Sequence, residues 1–183
     1  MTDTSTHSRM LDAAIKLVEE GGESAIRTAE IAESVGVSQP ALYHHFKSRG
    51  DLVIQTYAEW YRRELVSTRD PKMIVSESNS LEEFQNAIRE DLLWRFRNER
   101  ARSRAARLTI LGAAQRHGAL LDEINRINRT FLARIEEMFE SAKHRGWVRP
   151  ELDARATTYW LIGMVTGRAL AEMDEDHVDL NSW

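Results

Sequence analysis

The sequence predicts an all-α protein, and three observations carry that prediction. Apolar residues recur at three- and four-residue spacing almost throughout the 183 positions, the period of a helix with one buried face. No run alternates apolar and polar residues as a half-buried strand does. Only three prolines occur, at 40, 71 and 150, and each falls where a helix starts or a turn is due, not inside a periodic stretch.

The elements follow in order. A first helix reads through Met10, Leu11, Ala14, Ile15, Leu17 and Val18 and stops at Gly21-Gly22. Thr28 opens a second, with Glu30 in its first turn where an acid suits the helix dipole. Its apolar face is Ile31, Ala32 and Val35, and Gly36 ends it. Ser38 caps a third helix, with Pro40 in the first turn where its missing N–H costs nothing. "KSRGDL" starts a fourth, running through Val53, Tyr57, Trp60, Tyr61 and Leu65 until Asp70-Pro71. The polar stretch "RDPKMIVSESNS" reads as a linker. Ser80 and Glu83 then form a capping box ahead of Leu81, Phe84, Ile88, Leu92 and Phe96. A further helix runs from about Ala101 to Gln115. A long one passes through Leu120, Ile124, Ile127, Phe131, Ile135, Met138 and Ala142 to Gly146. "GWVRPELD" is a turn, and Asp153 caps a last helix through Met173. The expected organisation is a small head, residues 1–52, on a larger helical body, residues 53–183.

Composition narrows the class. Hydrophobic residues make up 42% and charged residues 30%, with a mean hydropathy of −0.48: enough apolar material for a core in a soluble chain. There is no cysteine, which excludes a disulfide framework and a thiolate metal site. "MTDTSTHSRM" lacks the apolar core of a signal peptide, and no stretch of about 18 apolar residues spans a bilayer. A cytoplasmic protein without a membrane partner is the expectation. The net charge is −4, and residues 1–57 hold five Lys/Arg against eight Asp/Glu, a net −3. Non-specific attraction to phosphate is therefore weak, and any nucleic-acid binding must rest on local geometry.

Gly36-Val37-Ser38 joins two short helices, with Ala32 small enough at their crossing for close approach. That arrangement is a helix-turn-helix or an ordinary αα-corner. The stretch "IRTAEIAESVGVSQPALYHHFKSRGDLV" resembles the DNA-binding head of the TetR family of one-component transcriptional regulators. The likeness is carried by Thr28, Ile31, Ala32, Gly36, Val37, Ser38, Leu42, Tyr43, His45, Phe46, Ser48, Arg49 and Leu52, and covers residues 10 to 54. Arg49 stands where lysine is commoner, and Gly50-Asp51 replaces the usual acidic pair.

The resemblance implies that the helix begun by Ser38 and Pro40 lies in a major groove. Gln39, Ala41 and His44 then face base edges, while Thr28, Tyr43 and Lys47 grip phosphates with help from amides at the starts of helices two and four. The chemistry suits those roles: glutamine pairs with adenine, alanine meets a thymine methyl, and an imidazole meets a guanine acceptor. His45 sits about 100° round the helix from His44, so the two cannot share one metal ion; no metal or cofactor is expected. His45 packs beside Phe46 or bonds backbone, and for each histidine a plain surface or core role is the alternative.

For the body, the resemblance implies a small-molecule effector and a homodimer on a palindromic operator. The last helix is apolar almost all round from Tyr159 to Ala171, so it is buried on all sides. It is either an internal core helix or, as the family suggests, half of a dimer interface through Trp160, Leu161, Gly163, Met164, Gly167 and Arg168. The chain ends at "HVDLNSW", where the family would begin a second interface helix, and a shortened product is the expectation. Trp94, Phe96, Phe131, Met138, Trp160 and Met164 line an apolar pocket or fill a core. In "WRFRNERARSRAAR", residues 97, 100, 104 and 107 share a stripe if the helix is continuous. That stripe is either a solvated face pairing with Glu90, Asp91 and Glu99, or a source of one pocket arginine, with Arg104 the candidate.

No Gly-rich phosphate loop, carboxylate pair or nucleophile motif occurs, and the six histidines are scattered, so an enzyme is not expected. The reading is a DNA-binding regulator, a repressor released by its ligand. The rivals are a helical enzyme and a protein-interaction module that no longer reads DNA.

Overall fold

The computed structural model describes residues 2–65 and 70–174. Among these residues every regular element is a helix, in the order α1 Thr2–Gly21, α2 Thr28–Val35, α3 Gln39–His45, α4 Arg49–Glu64, α5 Pro71–Glu77, α6 Leu81–Phe96, α7 Ala101–Ala114, α8 Gly118–His144 and α9 Ala154–Ala171. Short 3-10 turns occupy Glu23–Ala25 and Asn98–Arg100. No described helix is long and apolar enough to cross a membrane. The chain forms two compact units: residues up to Arg63 with Gly112–Ile124, and Glu64–Leu111 with the residues from Asn125 onward. The position 52/53 lies inside α4.

In the first unit, α1 packs on α2 and α2 on α3. Met10, Ala14, Ile26, Ile31, Leu42, Phe46 and Leu52 are sealed from solvent, which draws all four helices and the α1–α2 connection onto one core. Each large apolar side chain so buried contributes about 1.5–3 kcal/mol. The His7 ring stacks on Phe46 at 5.0 Å between centroids, and His45 tilts against it at 6.5 Å. Helix α4 is well started in spite of Gly50. The Ser48 hydroxyl accepts the Asp51 amide at 3.1 Å, and the Asp51 carboxylate accepts the Lys47 amide at 2.8 Å, a reciprocal cap. Arg49 donates to the carbonyls of Ile26 (3.2 Å) and Glu23 (2.9 Å), and Arg9 to that of Val35 (2.9 Å), so two arginines satisfy carbonyls at the ends of the short elements.

The second unit is centred on Ile74, Val75, Phe84, Ala87, Ile135, Met138, Phe139, Ala142 and Ala154. Two expectations are corrected here. The stretch read as a linker contains α5: Asp70 caps it by accepting the Lys72 amide at 3.1 Å, Pro71 occupies its first turn, and Ile74 and Val75 enter the core. Its polar flanks hid a one-turn apolar face too short for periodicity to register. The arginine stripe does not exist, because α6 ends at Phe96 and a 3-10 turn precedes α7. Two of these arginines have separate partners: the Arg100 guanidinium lies 4.3 Å from the Trp94 ring centre, and Arg104 bonds the Glu172 carboxylate. The expectation of a shortened product ending at "HVDLNSW" concerns residues outside those described.

Candidate nucleic-acid interface

The turn between α2 and α3 is built by one glycine. Gly36 has φ 76° and ψ 34°, a left-handed conformation that a Cβ opposes. Its amide bonds the Glu33 carbonyl at 3.0 Å, and the Val37 amide reaches back to Ala32 at 2.9 Å, closing α2 and reversing the chain. Ser38 then caps α3 by accepting the Ala41 amide at 3.3 Å. Leu42, buried, fixes which way α3 faces, and Ala32, also buried, lets it approach α2.

With Leu42 inward, the opposite face of α3 is open. Gln39, Pro40, His44 and Lys47 are exposed, as are Ser38 and Tyr43, the latter by 43%. Ala41 and Thr28 are half-buried. The residues assigned to base edges and to phosphates thus share one surface of the head. A link between the two groups was not foreseen. The Gln39 side-chain amide donates to the Thr28 hydroxyl at 2.7 Å, which holds Gln39 in place and leaves the Thr28 O–H to donate outward. Lys47 engages Asp51 through its backbone only. Arg27 pairs with Glu30 at 2.9 Å on the surface. His45 is turned away from this face, half-buried beside Phe46. Among the described residues, no three His, Asp or Glu side chains converge as a metal site would require.

Residues 10–56 match the family model described as bacterial regulatory proteins, tetR family. Over those residues the head is TetR-like. A relative, the HTH-type transcriptional regulator AcrR of Shigella flexneri, is 40% identical over 47 residues, which are 26% of this chain and 22% of that protein. The matched stretch is therefore less than a quarter of that relative's length. Likeness in fold extends much further than the TetR-type head. A TetR transcription regulator from Haloarcula marismortui superposes with a TM-score of 0.70 at 19% identity, covering 98% of this chain and 92% of that one. The Bacillus subtilis regulator FadR, solved in complex with stearoyl-CoA, gives 0.61 at 18% identity, covering 96% and 91%.

In the unit that follows the TetR-type head, the expected pocket residues scatter. A narrow cleft of about 40 Å³ is lined by the aliphatic side chains of α5, α6, α8 and α9 together with Asp91 and Arg95. Of the expected set only Met138 lines it. Phe96 is buried and Trp94 lies under Arg100. Phe131 packs at the core's edge with the Arg95 guanidinium 5.9 Å from its ring centre. Met164 is half-buried. Arg104 is 1% exposed and committed: it donates to the carbonyls of Arg95 and Arg97 and to the Glu172 carboxylate. Burial alone would raise the Glu172 carboxyl, but bonds and charge from Arg104, then Arg168, hold it below the usual carboxylate range.

Helix α9 has two different faces rather than one continuous apolar surface. Ala154, Thr158, Val165, Arg168 and Ala169 point inward. Tyr159, Trp160 and Leu170 are exposed, Trp160 by 65%. Gly163 and Gly167 lie between them, with nothing within 4 Å of where a side chain would begin. Arg168, expected on that outer stripe, is instead 1% exposed, its Nε bonded to Glu172 at 3.1 Å, because position 168 follows Val165 on the inner side of the helix. Leu161 is half-buried and lines the cleft.

Proposed function

We propose that this chain is a DNA-binding transcriptional regulator acting in the cytoplasm. In this reading it is a repressor that grips a palindromic operator as a homodimer and is released by a small-molecule effector, without enzymatic activity. The observation that carries it is the open face of α3, where Gln39, Tyr43 and His44 are exposed to solvent. Ser38, Gln39, Pro40, Ala41, Tyr43 and His44 would enter the groove, and Thr28 and Lys47 would flank it on phosphates. Residues 1–52 would be the part that reads DNA and 53–183 the part that senses and pairs. The outer face of α9 favours pairing: exposed aromatics beside two glycines with open space suit a close-packed second helix. A fold-mate that binds stearoyl-CoA accords with an effector site in the body. Effector binding would lower operator affinity by a coupling of about 1–3 kcal/mol.

The test is a gel shift against the promoter of its own gene region. The wild-type chain retards the fragment, and Tyr43→Ala weakens the shift about tenfold, the worth of one hydrogen bond to a charged group. No shift with the wild-type chain at low salt would favour a protein-interaction module.

A further inference from the structure

The arginine that faces the cleft is Arg95, not Arg104, and its surroundings are unusual. Ile74, Ile88, Leu92, Ile135, Leu161 and Val165 make the cleft's walls, so a guanidinium there is costly unless it is well paired. Its side chain is 11% exposed, and its Nε donates to Asp91 at 2.7 Å. That bond uses one of five N–H donors. Among the described residues, its two Nη groups make no hydrogen bond.

We propose that Arg95 is an anion-recognition residue: its Nη groups take the carboxylate of an aliphatic acid whose hydrocarbon part lies in the cleft. This deepens the regulator reading, and rests on it in calling that acid the effector. A planar fork of two parallel N–H donors matches a carboxylate bidentately. Asp91 keeps the Nε and acts as a positioning residue, so the buried pair need not break, which would cost several kcal/mol. A cationic ligand suits the site less well. It would have to approach the one acid, Asp91, with the Arg95 charge already against it. The walls fit hydrocarbon, since nothing else polar lines the cleft. At about 40 Å³ it holds no more than a few waters, so a tail enters by parting α5, α6, α8 and α9 side chains.

The experiment uses the full chain and matched probes of equal length: decanoate and palmitate, the corresponding alcohols, and the corresponding amines, with binding followed by calorimetry. Carboxylates are expected to bind about tenfold or more tightly than alcohols, and amines to bind weakest. Arg95→Ala erases the preference for acid over alcohol while Arg95→Lys keeps part of it. Leu92→Trp, which fills the cleft, weakens both alike. A thermal melt of each variant shows that it is folded. Equal binding of acid and alcohol, tighter binding of the amine, absence of carboxylate binding, or an acid preference that survives in folded Arg95→Ala would each overturn the proposal. DNA retardation is measured on the same samples without ligand. Its failure would count against the regulator reading alone and leave the acid-binding result standing.

Discussion

The Gln39–Thr28 bond at 2.7 Å ties a residue proposed to face bases to one proposed to meet phosphate, and its effect belongs at the level of single side chains. Thr28→Val removes the acceptor that steadies Gln39 and the O–H proposed to meet phosphate. It should therefore weaken binding to every sequence and also relax the base preference opposite Gln39. Gln39→Ala should relax that preference alone, and His44→Ala that at its own base. In a double-mutant cycle the Thr28 and Gln39 losses should fall short of additive by about 0.5 kcal/mol or more. Strict additivity in a fluorescence-anisotropy titration would show the bond to be idle on DNA. This coupling was not legible in the sequence. Residues 28 and 39 lie on different helices, and only the left-handed Gly36 turn brings them together. The turn itself was legible, because a glycine before a Ser cap leaves few alternatives.

At the level of helices, legibility tracked length and capping. α6 and α9 announced themselves through Ser80 with Glu83 and through Asp153, whose carboxylate accepts the Ala156 amide at 2.9 Å. α5 was missed because its seven residues give one apolar turn, and the Asp70-Pro71 start was read as an end. The arginine run misled for a different reason: a spacing argument assumes an unbroken helix, and the 3-10 turn at Asn98–Arg100 resets the phase. The consequence is the inner cluster in which Arg104 and Arg168 share Glu172, fastening the end of α9 to the start of α7. Because the folded Glu172 carboxyl lies below its ordinary value of 4.5, its contribution is present above that pH and is lost as pH falls through the folded value. Glu172→Gln should lower the melting temperature at neutral pH and flatten its decline below about pH 4.5. Parallel melting curves for the two proteins between neutral pH and pH 3 or so would refute this.

At the level of the whole molecule, the outer face of α9 is the surface proposed to pair. Trp160 is the most exposed residue among its described aromatics, and an anchor of that kind typically costs 2 kcal/mol or more when removed from an interface. Trp160→Asp should shift the chain from dimer to monomer in sedimentation and weaken operator binding without touching the head. The head's own charge predicts the ionic response. Residues 1–57 carry a net −3, and Lys47 is the one assigned phosphate contact that is a cation. The fall of log affinity with log salt should thus be shallow, near −2 for a dimer if each head neutralises about one phosphate. A much steeper slope would mean that cations outside the assigned set reach the backbone.

The tightness of the cleft beside Arg95 also sets a clock. Side chains that leave about 40 Å³ must separate before any acid can dock, so admission is a two-step event with a unimolecular first step. In stopped-flow mixing, the observed rate should level off at high decanoate concentration, at a ceiling that Leu92→Ala raises and that Arg95→Lys leaves where it was.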